Sequence, residues 1–152
     1  MTKAQRHKAE REEGIVTNSP EETRKLAADL AKKLKPGAVL ALHGELGSGK
    51  TCFVQGLAAA FGVKEFVSSP TFTIINEYQA KFPIYHVDLY RVRSEAEIDG
   101  LGLEDCFEGR GITAIEWPEV FASLLPEDTI HIHFEFVDAD RRRIKVEDGH
   151  QF

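Results

Sequence analysis

Residues 44–51 have the types and the spacing of a loop that binds phosphate groups. They match the pattern G-x-x-x-x-G-K-[ST] at every fixed position. Glycines let the backbone curl so that successive N–H groups point at phosphate oxygens. Lys50 can reach the outer phosphates as a point charge, and the Thr51 hydroxyl can ligate Mg²⁺. The alternative is a glycine-rich turn that carries a surface lysine.

The segments on either side of this loop predict a strand before it and a helix after it, the context in which such loops bind phosphate. Residues 38–43 form a short apolar run that predicts a strand. Residues 52–61 predict a helix that ends at Gly62. The amino end of this helix adds the positive pole of its dipole to the loop. Strand, glycine-rich loop and helix in this order favour phosphate binding over a plain turn.

Two acidic residues are candidates to complete a nucleotide site. A phosphate loop needs a second acidic group that holds Mg²⁺ through water or orients an attacking water. Asp88 follows the apolar segment 84–87, and Glu116 follows the segment 112–115. Open α/β folds place their ligands at such strand ends. A strand can equally end at a solvated acid, but two such acids together with the loop favour a site.

The remaining pattern predicts a single P-loop domain, residues 15–152, after a charged extension at residues 1–14 that is flexible or forms a solvated helix. Capping boxes at Ser19-Pro20-Glu21-Glu22 and at Ser94-Glu95-Ala96-Glu97 open two helices. Further strands are predicted at residues 72–78, 82–87, 112–115, 129–137 and 141–146, with a helical turn at 119–124. This order indicates an α/β, P-loop NTPase-type fold of three layers. Its sheet is mostly parallel, with helices on both faces and an antiparallel C-terminal hairpin.

Composition and charge exclude several classes of protein. Apolar residues make up 42% of the 152 residues and charged ones 29%, which indicates a globular rather than a disordered chain. We expect a cytoplasmic protein with no signal peptide and no contact with a membrane. The two cysteines, Cys52 and Cys106, form neither a disulfide framework nor a metal-binding pattern. The net charge of −6 disfavours autonomous binding to nucleic acid.

Other polar groupings have simpler explanations. His131 and His133 fit the polar face of an amphipathic strand, with no third metal ligand nearby in the sequence. His86 shares a strand face with Asp88, which allows zinc, but the loop already implies magnesium. The arginines at 141–143 can contact a nucleotide, a partner or solvent. The guanine-recognition pattern N-K-x-D is absent, which leaves ATP as the expected nucleotide.

Three further motifs follow the loop along the chain. They are Ser69-Pro70-Thr71-Phe72-Thr73, then His86-Val87-Asp88-Leu89-Tyr90-Arg91, then Glu116-Trp117-Pro118. The loop alone is common to many proteins, whereas the ordered combination is far more specific. This combination resembles the bacterial TsaE (also called YjeE) family, and the likeness extends from about residue 19 to the C-terminal hairpin.

The resemblance implies a function. It implies an Mg-dependent ATPase that supports synthesis of the threonylcarbamoyl-adenosine modification next to the anticodon of certain tRNAs. The protein would work with the TsaD and TsaB proteins and keep their cycle turning over, without transferring the group itself. It would meet tRNA only through that complex. Two alternatives stay open: a small-molecule kinase, and a nucleotide-gated binding module that does not hydrolyse ATP.

The resemblance also implies roles for individual residues. Thr51 and Glu116 would ligate Mg²⁺, and Asp88 would be the second acidic group needed for hydrolysis. With Lys50, the two acids make up the expected catalytic set. Trp117, the only tryptophan, would lie near the site, whereas packing considerations alone favour the core.

The remaining assignments concern ATP itself. The expected ATP-binding residues are Glu45, Leu46, Gly47, Ser48, Gly49, Lys50, Thr51, Cys52 and Arg141. Residues Ser69, Pro70 and Thr71 would form a switch-like segment that senses the terminal phosphate. Cys52 stands where the family commonly has a second threonine. Because a helix amino end lowers the pKa of a thiol, we expect Cys52 to be sensitive to oxidation or alkylation.

Overall fold

The computed structural model describes residues 2–6, 13–70 and 73–147. Its central element is a sheet of seven strands. The strands are β1 (Ile15–Thr17), β2 (Val39–His43), β3 (Ile75–Tyr78), β4 (Ile84–Asp88), β5 (Ile112–Glu116), β6 (Ile130–Phe136) and β7 (Arg142–Glu147). Their order across the sheet is β1-β7-β6-β2-β5-β4-β3. Strands β6, β2, β5 and β4 run parallel, and β1, β7 and β3 pair antiparallel with their neighbours. The predicted parallel sheet with an antiparallel C-terminal hairpin is confirmed.

Helices cover both faces of this sheet, as predicted. One face carries the two long helices α1 (Pro20–Ala31) and α2 (Lys50–Ala60). The other face carries the four-residue helix α3 (Glu95–Ile98) and two 3-10 helices, Leu103–Phe107 and Pro118–Leu124. The fold is therefore a three-layer α/β domain with unequal outer layers.

The alternation of side chains along the strands decides which layer each residue faces. In β4, Ile84 is buried in the core beneath α1 and α2, while Tyr85 and Val87 belong to the opposite core. Successive side chains of a strand point to opposite faces, so His86 and Asp88 lie on the same side as Ile84. The same rule places Glu116 of β5 on the α2 side. Both candidate acids thus face the helix that follows the phosphate loop.

The two predicted capping boxes have different outcomes. The Ser19 hydroxyl accepts a hydrogen bond from the backbone N–H of Glu22 and caps α1, as predicted. The Glu22 carboxylate accepts from the Asn18 amide instead of completing the box at the backbone of Ser19. At the second box, the Ser94 hydroxyl makes no capping bond, and the Glu97 carboxylate instead accepts from the backbone N–H of Arg93. The short helix predicted after Ser94 is observed as α3, a single turn with Ser94 as its N-cap residue. The prediction of a capping box was wrong, because the Glu97 carboxylate bonds to the N–H of Arg93 and not to that of Ser94.

Several predicted features fall partly outside the described residues. Of the extension at 1–14, the structure describes residues 2–6, which are exposed, and residues 13 and 14. The strand predicted over 72–78 is observed from Ile75, and residues 71 and 72 are not described. Within the ranges that are described, no helix combines the length and the apolar character needed to cross a membrane.

Helices α1 and α2 touch at Gly56, and this contact gives a stability prediction. A Cβ atom added at Gly56 would lie 2.3 Å from the backbone oxygen of Arg24, closer than any real contact. We expect Gly56→Ala to lower the free energy of unfolding by about 1–3 kcal/mol, the usual cost of overpacking, although alanine favours helix by about 1 kcal/mol. Urea denaturation measures the change. Gly100→Ala is the matched control because nothing lies within 4 Å of its added Cβ, and equal stability of the two variants would contradict the prediction.

Candidate nucleotide-binding site

The phosphate loop joins β2 to α2, as the sequence predicts. Gly47 and Gly49 have φ angles of +78° and +101°, a backbone region that only glycine adopts without strain. Gly49 directly precedes α2, so Lys50 is the first residue of that helix. The loop therefore presents its backbone and the positive end of the α2 dipole to one place.

Lys50 is held in that place by two neighbours. Its ammonium donates a hydrogen bond to the backbone oxygen of Gly44 at 2.5 Å and lies 3.5 Å from the ring centroid of Trp117. Burial lowers the pKa of Lys50 from its ordinary value, while the charges of Glu116 and Asp88 oppose that shift. Keeping a cation here therefore has a desolvation cost, and an anionic ligand would offset that cost.

Glu116 connects the loop to β5. It is 4% exposed, and its Oε2 accepts a hydrogen bond from the Thr51 hydroxyl at 3.1 Å. The same oxygen lies 2.5 Å from Nε2 of His86 on β4. Thr51 and Glu116, the two predicted Mg²⁺ ligands, are therefore in direct contact, although they are far apart in the sequence.

Asp88 lies beside Glu116, since the two residues are register partners in the β4–β5 pair. It is buried, and its Oδ2 accepts from the Ser69 hydroxyl at 2.8 Å. Its Oδ1 accepts from the backbone N–H of Tyr90 at 2.9 Å. The carboxylate is consequently fixed in one orientation close to the loop.

The segment predicted to act as a switch contacts Asp88 through Ser69, and Ile74, which lies just beyond that segment, contacts Asp88 as well. Besides the Ser69 hydroxyl, the backbone oxygen of Ile74 accepts a hydrogen bond from the N–H of Asp88 at 2.8 Å. Ile74 has a φ of +68°, which a β-branched residue adopts only under strain. The N–H of Ile74 in turn donates to the backbone oxygen of Pro70. Thr71 lies outside the described residues.

A cavity of about 460 Å³ brings most of these groups together. Its lining residues are Leu46, Gly47, Ser48, Gly49, Lys50, Thr51, Cys52, Ser69, Asp88, Tyr90, Glu116 and Trp117. A cavity of this volume has the size of a small-molecule binding site. Of the residues predicted for the site, Glu45 is exposed on the loop, and neither Glu45 nor Pro70 lines the cavity.

Trp117 lies between the hydrophobic core and the nucleotide site, the two environments considered from the sequence. It is partly buried against the core that contains Phe121, and it also lines the cavity, with its ring near Lys50 and 5.1 Å from Tyr90. Its φ of +57° is unusual for a residue other than glycine. Strained backbone of this kind clusters at functional sites. The ring thus lies near the site, as the resemblance implies, and is also packed in part against the core that packing considerations favour.

The arginine beside the loop is Arg142 rather than Arg141. Arg141 forms an exposed ion pair with Asp138 and lines neither the main cavity nor the smaller one next to it. Arg142 donates to the backbone oxygen of Gly47 at 3.1 Å and to that of Asp138. It also lines a cavity of about 110 Å³ with Ser19 and other residues of α1, the loop and the hairpin turn. Contact of Arg141 with ATP stays a prediction that this geometry does not favour.

The expectation for the Cys52 thiol was wrong in direction. Burial raises the pKa of Cys52 from its ordinary value, and this outweighs the lowering by the nearby Arg24 guanidinium. The Arg24 side chain lies 3.6 Å from the sulfur. Burial also raises the pKa of Cys106 to about 11. Because the thiolate is the reactive form, neither cysteine is activated at neutral pH.

His131 and His133 of β6 lie next to a third histidine, His43. His43 Nε2 is 2.9 Å from His131 Nδ1, and the His43 ring stacks on His133 at 4.7 Å between centroids. This neighbour was not predictable from local sequence, because His43 lies on β2 and meets β6 only through the pairing of the two strands. Even so, in the described part of the chain no group of three or more potential metal-binding side chains is arranged to hold a metal ion.

Together, these features define the class of the protein. A phosphate loop follows the central parallel strand β2, and the adjacent strands β5 and β4 end in carboxylates that face it. That arrangement is typical of a P-loop NTPase-type domain.

Comparison with known proteins narrows this class. The family model "Threonylcarbamoyl adenosine biosynthesis protein TsaE" matches residues 17–144. The tRNA threonylcarbamoyladenosine biosynthesis protein TsaE of Bacillus subtilis (strain 168) is 43% identical over 129 residues, covering 84% of this chain and 80% of the relative. Its counterpart from Treponema pallidum (strain Nichols) is 38% identical, covering 86% and 97%. The crystal structure of Bacillus subtilis YdiB superimposes with a TM-score of 0.75 at 36% identity, covering 89% and 84%. The chain belongs to the TsaE family.

Proposed function

We propose that this protein binds and hydrolyses Mg-ATP in support of the threonylcarbamoyl-adenosine modification of tRNA. The single observation that carries the ATP site is the meeting of Thr51, Glu116 and Asp88 at the phosphate loop. The pathway is supported by the names of its relatives, which are tRNA threonylcarbamoyladenosine biosynthesis proteins. In this proposal the protein acts in the cytoplasm.

The chain's own groups suit the phosphates of ATP. Lys50, backbone N–H groups of the loop and the amino end of α2 supply positive charge and donors. The hydroxyl of Ser48 is buried with no hydrogen-bond partner among the described residues, and a phosphate oxygen would supply one. These groups would hold the phosphates in one orientation without moving the loop.

The donor set at the loop also fits Mg²⁺. A hydroxyl and a carboxylate are the hard oxygen ligands that this ion prefers, and those of Thr51 and Glu116 lie 3.1 Å apart. Both residues would hold the ion beside the outer phosphates. When bound, Mg²⁺ neutralises charge that develops on the transferring phosphoryl group.

Asp88 is the group best placed to orient water for hydrolysis. Its carboxylate is next to Glu116 and is held by Ser69 and the backbone of Tyr90. A fixed carboxylate can accept a proton from a water and direct its oxygen towards a phosphorus atom. Because Ser69 belongs to the switch-like segment, its position and the orientation of Asp88 are coupled.

The proposed role is that of an accessory ATPase. ATP hydrolysis would drive turnover of TsaD and TsaB, which would carry out the transfer, and contact with tRNA would occur through their complex. The overall charge of −6 agrees with this indirect contact. Product analysis separates this role from a small-molecule kinase. Incubation with Mg-ATP and a cell extract should release inorganic phosphate, and accumulation of a phosphorylated metabolite would contradict the proposal.

A further inference from the structure

His86 is a buried titratable residue to which the proposed mechanism gives no task. It lies at the centre of β4, and its side chain is fully buried. Its register partner on β5 is Ala114, a small residue that leaves the imidazole room to reach along the strand. The imidazole extends along the strand towards Glu116, and its Nε2 lies 2.5 Å from Oε2 of that residue.

The contact fixes which ring nitrogen carries the proton. An ionised carboxylate can only accept hydrogen bonds, so Nε2 of His86 must donate to Glu116. The other nitrogen, Nδ1, is buried and has no hydrogen-bond partner among the described residues. An unpaired buried atom costs free energy. Among the described residues, the ring therefore makes one hydrogen bond, the one with Glu116.

The two oxygens of Glu116 are used unequally. Oε2 receives both the His86 ring and the Thr51 hydroxyl, at 2.5 Å and 3.1 Å. Among the described residues, Oε1 has only a longer contact of 3.4 Å with the same Thr51 hydroxyl. A carboxylate has about four lone-pair sites, about two on each oxygen. Oε2 already accepts two hydrogen bonds, whereas Oε1 can still accept or ligate another group.

We propose that His86 is a positioning residue that holds Oε2 of Glu116, so that Oε1 stays directed towards the cation of Mg-ATP. This inference rests on the proposed function. Groups that hydrogen-bond a metal ligand orient it, and their loss costs about 10- to 100-fold in metal affinity. Since β4 also ends in Asp88, one strand would orient the metal ligand and supply the hydrolytic carboxylate.

Two variants of matched polarity test the inference. In His86→Gln the amide nitrogen can occupy the place of Nε2, whereas in His86→Asn the shorter side chain cannot reach Glu116. Titration calorimetry gives ATP affinity for each protein with Mg²⁺ and with EDTA. We expect the gain in affinity on adding Mg²⁺ to fall about 10-fold or more in His86→Asn and to remain within about threefold of the wild type in His86→Gln. Affinity in EDTA should stay within about twofold in both.

Three outcomes would overturn the inference. One is an unchanged Mg²⁺ effect in His86→Asn. A second is that both variants lose ATP affinity equally, whether Mg²⁺ is present or not. A third is that both variants lose their fold, as measured by circular dichroism. In either case the ring would serve folding alone. Failure of the proposed function is distinguishable, because wild-type protein would then show no Mg²⁺-dependent binding of ATP.

Discussion

Replacing Lys50 with alanine should nearly abolish ATP binding. Lys50 is 4% exposed, and its ammonium donates a hydrogen bond to the backbone oxygen of Gly44. Loss of one partner from a buried, hydrogen-bonded charge pair costs about 2–5 kcal/mol, or roughly 30- to 4,000-fold in Kd. Titration calorimetry with Mg-ATP measures this loss directly.

Lost binding in this variant would not be a sign of unfolding. Burial lowers the pKa of Lys50, so the folded state disfavours the charged form. At neutral pH, below the pKa of the unfolded chain, this charge therefore reduces stability rather than adding to it. We expect Lys50→Ala to remain folded, which circular dichroism on the same preparation checks. Lys64→Ala, which removes an exposed lysine, is the matched control and should bind ATP normally, and wild-type affinity in Lys50→Ala would show that the site is assigned wrongly.

Replacing Asp88 with asparagine should separate hydrolysis from binding. Asparagine keeps one oxygen that can accept from the N–H of Tyr90, and Ser69 can donate to or accept from its amide. The local structure should therefore survive, while the negative charge that withdraws a proton from water is lost. We expect the rate of phosphate release to fall about 10²- to 10⁴-fold, the usual contribution of a general base.

ATP affinity in the same variant should be retained or increased, because a negative charge near the phosphates is removed. Phosphate release and calorimetric affinity, measured on one preparation, give the two quantities. Asp128→Asn alters an exposed aspartate in a turn and should change neither. Hydrolysis at the wild-type rate in Asp88→Asn would exclude Asp88 as the group that activates water.

Local patterns predicted the features that depend on neighbours in the sequence. The loop, the strand before it and the helix after it follow from glycine spacing and apolar periodicity alone. The strand ends at Asp88 and Glu116 were predictable for the same reason. Alternation along β4 and β5 then determines that both carboxylates face α2.

Features that depend on the order of strands were not predictable in this way. The contact of His86 with Glu116 requires β4 and β5 to be neighbours in one particular register. The contact of Arg142 with Gly47 requires the C-terminal hairpin to pack beside the loop. The pKa of Cys52 has the opposite shift from that expected, because burial outweighs the lowering by the Arg24 guanidinium of α1. Each depends on packing between segments distant in the sequence.

The most direct test of the proposed function is the number of tRNA molecules modified by each TsaD–TsaB complex in a reconstituted reaction with Mg-ATP. With the wild-type protein, we expect many modifications per complex, and added TsaD and TsaB should also stimulate phosphate release. With Asp88→Asn, modification should stop after about one round per complex. Full multiple turnover with a variant that binds ATP but does not hydrolyse it would contradict the account, and would instead identify a nucleotide-gated binding module.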